Sequence, residues 1–281
     1  MDSEVLSYHK EEGSTPLRGP LQTQSAIPSR SHGVVRRAPY SKSHDKGPSV
    51  LTPAIVYVLS GGEDREKTFF RTLRNDPILS SCVQIIFQSK KGQGLQPFQM
   101  DSLWQQGRRR GKIMVEGKVY RLSKLDKVFL VTDVDEFESQ IVDILKTRPK
   151  EDTAHWIISN PCIEIWLYYC FKNNLAPEVL KLRYVSRAHR SQRMKQLNHI
   201  LVNGGADPRK AFDNTQDGIA NSKTHFRKGH YGIPRLFATT FYIMMEQILQ
   251  FIVDRGRSFA DYQEAKRKRI EAFLTGKDES I

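Results

Sequence analysis

Cysteine is scarce in this chain, and the three present, Cys82, Cys162 and Cys170, are odd in number and widely spaced. That pattern fits neither a disulfide framework nor a zinc site, and it reads as reduced thiols in a cytoplasmic protein. Long apolar runs are missing as well. The best candidate, Phe237 to Val253, is interrupted by Glu246, Gln247 and Gln250, and no stretch approaches the roughly 18 apolar residues of a spanning helix. No charged-then-apolar signal opens the chain. Acidic residues are in short supply: 31 against 44 Lys and Arg, a formal net charge of +13. The first fifty residues hold seven basic and five acidic side chains, which leaves +11 for the rest. A basic surface of that size favours an anionic partner, and with no membrane signal that partner is nucleic acid.

Residues 1–50 are dense in Ser, Pro, Arg and Gly and poor in branched aliphatics. Such a segment buries too little apolar surface to offset its ordering entropy, so a disordered tail is expected there. Order is expected from Ala54–Ser60 (AIVYVLS), a nearly continuous apolar run that suits a strand buried on both faces. Gly61-Gly62 breaks it, and EDREKTFFRTLR follows at helical spacing. CVQIIFQS (82–89), KVFLVTDVD (127–135) and AHWIISN (154–160) read as further strands. Helices are expected in EFESQIVDILKT and in PCIEIWLYYCF, where Pro161 suits a helix start. KIMVEGKVYRL reads as a hairpin turning at Glu116-Gly117, and after Asn173 only helices and loops are apparent. Alternating strands and helices predict an α/β fold with an open, mostly parallel sheet flanked by helices, and a helical C-terminal portion.

In such sheets, sites form beyond the carboxyl ends of the strands. Sorting the polar residues by that rule brings Glu63, Asp133, Asp135 and Glu136 to one edge, and strand alternation puts Asp133 and Asp135 on one side. Carboxylates packed together repel one another unless a cation lies between them, and hard ions such as Mg²⁺ or Mn²⁺ suit oxygen ligands. A metal held there can activate water for displacement at phosphorus. The plain alternative is that these acids stabilise the next helix amino terminus. Asn160 is open in the same way, between a phosphate contact and a helix cap.

Three segments, VYVLSGGEDREKTFF, FLVTDVDE and WIISNPCIEIWLYYCF, resemble in order the signatures of the RloB-like family. The third is the most specific, because Asn160-Pro161-Cys162 is followed by Glu164 and Trp166. The resemblance covers roughly residues 54–171, with a fainter echo around 232–251. It implies a topoisomerase–primase (Toprim) type core over residues 51–175, with residues 176–281 as a basic helical extension packed on it. It also implies a Mg²⁺-dependent nuclease on DNA or tRNA in anti-phage defence, with a partner ATPase. Asp133 and Asp135 match the family's Asp-x-Asp pair, and Glu136 matches the acid after it. The first signature departs from the family: Gly61 stands where a glutamate is usual, which leaves Glu63, or less readily Glu66, to replace it. The competing reading is a catalytically silent nucleic-acid-binding or adaptor protein that keeps the fold.

The segment from Lys181 to Lys195 carries six Lys or Arg residues and no acid. Arg187, Arg190, Arg193 and Lys195 are therefore candidate phosphate contacts, with Tyr184 and Phe226 as stacking candidates. KTHFRKGHYG adds further basic residues, whereas 266–269 reads as a solvated helix face.

Overall fold

The computed structural model describes residues 34–35, 54–90, 94–134, 137–254, 264, 267–268 and 270–271. The tail expected over residues 1–50 lies outside these, apart from β1 (Val34–Val35). The main sheet is built from β2 (Ala54–Ser60), β3 (Val83–Gln88), β6 (Lys127–Asp133) and β7 (His155–Ser159). Its order is β3-β2-β6-β7, with every pairing parallel. The expected hairpin is present as β4 (Lys112–Val115) and β5 (Lys118–Arg121). Glu116 and Gly117 both take positive φ, 49° and 73°, as the tight turns that match strand twist require. β1 runs parallel to β5 on the far side of that small sheet.

All seven residues of β2 are buried, because helices cover both faces of the sheet. One face, with Val56, Val58, Phe129, Val131 and Ile157, packs against α1 (Arg65–Asn75), α5 (Glu164–Tyr169), α7 (Arg187–Leu201), α9 (Thr215–His225) and α10 (Phe241–Val253). Its centre is aromatic: Phe241 stacks on Trp166 at 5.1 Å and meets Phe69 edge-on at 5.6 Å. The apolar stretch 237–253 thus becomes a core helix, and no helix of the described residues is long and apolar enough to cross a membrane. Phe237 is buried but lies ahead of that helix, at φ 71°. The other face, with Tyr57, Leu59, Leu130, Trp156 and Ile158, is covered by α3 (Pro97–Arg110), α4 (Glu138–Thr147) and the hairpin. The elements α2 (Pro77–Cys82), α6 (Pro177–Leu180) and α8 (Pro208–Ala211) are short connecting helices.

The helix expected to start at Pro161 starts at Glu164 instead. Asn160 explains the delay. Its backbone N–H donates to Ala238 O (3.0 Å) and its carbonyl accepts from Phe237 N (2.8 Å). The chain is therefore pinned to the 234–238 loop before it can coil, and the Asn160-Pro161 bond is cis.

Candidate active-site cleft

β2 has β3 on one side and β6 on the other, so the chain leaves it in opposite directions at that point of the sheet. Such a reversal opens a crevice beyond the carboxyl ends of the two diverging strands. The Gly61 N–H donates to Val131 O at 2.8 Å, which holds the end of β2 beside the end of β6. Asp133 is the last residue of β6 and shares the alternation of Phe129 and Val131, so it belongs to the face covered by α1, α5 and α7.

A cleft of about 350 Å³ lies there, lined by the 61–66 turn, Gly94, Asp133, Ile163, Glu164 and Lys195. Glu66, in the first turn of α1, is only 6 % exposed. Its carboxyl group lies against Gly62: a Cβ at residue 62 would meet the Glu66 Cδ at 1.9 Å. Glycine at 62 therefore lets that carboxylate fold back over the strand-end turn. Burial, reinforced by the neighbouring Glu164, pushes Glu66 up to about 7. Glu164 opens α5 and is 1 % exposed, and neither of its carboxylate oxygens receives a hydrogen bond from the described residues. Its charge is met by the Lys195 ammonium of α7, at 3.9 Å. Glu164 in turn holds Lys195 above the usual lysine range, with smaller contributions from Asp133 and Glu66. Burial, with Glu164 next, pushes the Cys162 thiol well up, which leaves it inert.

Residues 56–248 match the family model described as RloB-like protein. The chain belongs to the RloB-like protein family. No curated protein and no solved structure matches it. The matched span runs from β2 to Ile248 of α10, so the family's region takes in the aromatic core helix as well as the strand-end acids.

Within this RloB-like chain, the structure brings Asp133 and Lys195 to the cleft, with Glu63 at its rim. Asp135 and Glu136 lie outside the described residues. Glu63 approaches Lys67 at 3.7 Å and also lines an adjoining cavity beside Gln88 and the hairpin turn. Asn160 does not cap the following helix, whose N-cap is Ile163; its side-chain amide donates to Pro234 O at 2.9 Å. The basic run without local acids finds them elsewhere in the fold. Arg187 pairs with Glu138 of α4, and Lys195 with Glu164. The Arg190 Nε donates to Val185 O and Arg193 to the Gln196 side chain. Phe226 meets Tyr242 edge-on, whereas Tyr184 stays 83 % exposed.

Because residue 61 directly follows β2, the strand-end rule leads one to expect a side chain there to face the same crevice as Asp133, and the structure corrects this. A Cβ at Gly61 would meet Leu95 O at 3.3 Å and lie near the Thr132 hydroxyl, on the opposite face of the sheet from Asp133. Glu66, ranked behind Glu63 as the replacement for a glutamate at 61, and Glu164, read as one of a buried polar pair, are the further acids of the cleft. The signal for Glu66 was Gly62, four residues earlier in the strand-end turn.

Proposed function

We propose that this chain is a metal-dependent nuclease acting on DNA or tRNA at the strand-end cleft. The observation that carries the reading is the assembly of Asp133, Glu66 and Glu164 from three separate elements at the point where the sheet reverses. The donor chemistry suits Mg²⁺ or Mn²⁺: every acid offers hard oxygen, and the Glu164 oxygens receive no hydrogen bond from the described residues. Among the described residues, no three His, Cys, Asp or Glu converge closely enough to hold an ion by themselves. Asp133, with Asp135 and Glu66 or Glu63, would complete the ligand set, together with Glu136 and substrate phosphate oxygens. A bound divalent ion would supply an activated water and charge neutralisation at phosphorus. Lys195 brings a fixed positive charge to the same cleft, where it balances Glu164 and attracts phosphate. Defence against phage, with an ATPase as partner, is the setting that we propose from the family resemblance.

The test is incubation of the purified protein with plasmid, single-stranded DNA and tRNA, in Mn²⁺ or Mg²⁺ and in EDTA. Cleavage lost in EDTA supports the reading, and inertness on every substrate overturns it. The second reading is a silent nucleic-acid-binding or adaptor protein. Lys195 favours it, because its ammonium already answers the buried Glu164 charge. Thermal melting discriminates the two: Mn²⁺ raises the Tm of a competent site by mass action and leaves a silent one unchanged.

A further inference from the structure

The segment 227–235 forms a tight hairpin that the cleft does not use. Gly229 N donates to Ile233 O and Arg235 N to Arg227 O, both at 2.8 Å, and Lys228 bridges antiparallel to Pro234. Asn160, the residue after β7, bolts its base to the same sheet edge that carries Asp133. Ile233 anchors it in the core beside α4. At its tip Tyr231 is held at φ 54°, ψ 16°, a left-handed conformation that side chains other than glycine seldom adopt. The residue is 57 % exposed, and the Lys146 ammonium stands 4.9 Å from the ring centroid. Strained residues that the surrounding structure over-determines cluster at binding sites. Among the described residues, the one ring contact of Tyr231 is with the Lys146 ammonium.

The charge around the tip has one sign. Lys146, Lys228, His230 and Arg235 are exposed, and among the described residues Lys146, Lys228 and Arg235 form no ion pair. The glycines let these side chains lie along the hairpin, the Arg235 stem over Gly229 and the Lys228 stem over Gly232. Arg227 is excluded from the patch, because it donates to the carbonyls of Thr224 and Phe226.

We infer that this hairpin is a second contact surface, for single-stranded nucleic acid, with a base stacked on Tyr231 and neighbouring phosphates neutralised by Lys146, Lys228 and Arg235. The inference rests on the nucleic-acid reading above and adds to it a strand class and a stacking residue. An exposed aromatic flanked by cations suits unpaired bases, whose faces are open, and not a duplex, whose bases are already stacked.

The test is fluorescence anisotropy in EDTA, with the full chain, a labelled single-stranded oligonucleotide and the matching duplex. Tyr231→Ala should weaken strand binding by about 5- to 100-fold with no change in salt slope, and Tyr231→Phe should bind within about twofold of wild type. Lys228→Gln with Arg235→Gln should reduce the salt slope by about 1.4, or about 0.7 per lost phosphate contact. Tyr231→Gly controls for folding: glycine takes this φ without strain, so its Tm should hold or rise while strand binding falls. Undiminished strand binding by Tyr231→Ala, or equal losses on strand and duplex, overturns the inference and leaves the cleft reading intact. If wild type binds neither probe, both fall together.

Discussion

The cleft and the hairpin sit at one sheet edge and handle charge in opposite ways. The cleft gathers Glu66, Asp133 and Glu164 from α1, β6 and α5, and two of the three are almost fully buried. The hairpin carries Lys228, His230 and Arg235 within nine residues, all exposed. Buried carboxylates cost free energy unless a cation or a proton answers them, so the cleft depends on Lys195, on a protonated Glu66 or on a metal. Exposed cations stay solvated and cost little until an anion arrives. Changes in the cleft should therefore act on both activity and stability, and changes on the basic surface on affinity alone.

The sharpest way to break the comparison is at β6. Asp133→Asn should lower metal-dependent cleavage by about 10²- to 10³-fold. Thr132→Val, whose side chain alternates to the other face, should leave the rate within about threefold, as single-turnover assays would show. Equal losses would mean that the face assignment does not govern the chemistry.

Glu66 gives the next largest effect. Its folded pKa, about 7, lies above the ordinary glutamate value of 4.5. The protonated form is therefore favoured by folding, and its stabilisation is complete below about pH 4.5 and lost as pH rises through 7. Melts in EDTA should show Tm falling between pH 5 and 8, by an amount equivalent to at most about 3 kcal/mol. Glu66→Gln should flatten that slope, and an unchanged slope would mean that another group is responsible.

Gly61→Glu should destabilise by about 1–3 kcal/mol, since its Cβ presses on Leu95 O. Calorimetric titration with Mn²⁺ should detect no gain in affinity, because the new carboxylate starts from the face opposite Asp133. The smallest effect belongs to Arg193→Glu on the exposed side of α7. Stability should stay within about 0.5 kcal/mol, while the salt slope of nucleic-acid binding falls by about 0.7–0.9. A large drop in Tm would place Arg193 among the structural arginines, alongside Arg190.

Much of the fold was legible because each strand carries its own pattern. Ala54–Ser60 is apolar at every position but the last and is ended by Gly61-Gly62, and the structure has the strand over those same residues. Glu116-Gly117 specifies its turn by local backbone chemistry alone. Pro161 was misleading, because the bonds from Asn160 to residues 237 and 238 come from more than seventy positions away.

By itself, the sequence determined the four strands of the main sheet, the helices after β2 and β6, the hairpin at residues 112–121 and the position of Asp133 at a strand end, but not α3, which lies where the strand-helix pattern breaks. These follow from periods of 2 and 3.6 residues and from turn residues, which act over a few positions. Tertiary structure alone decided which acids meet and which bases answer them. Glu66 enters the cleft because Gly62 leaves room for its carboxylate, and Glu164 meets Lys195 across two helices. The same holds for Arg187, whose acid is Glu138 of α4. Electrostatic partners are chosen by distance in space, and local patterning carries no record of which distant side chains folding will bring within a few ångströms.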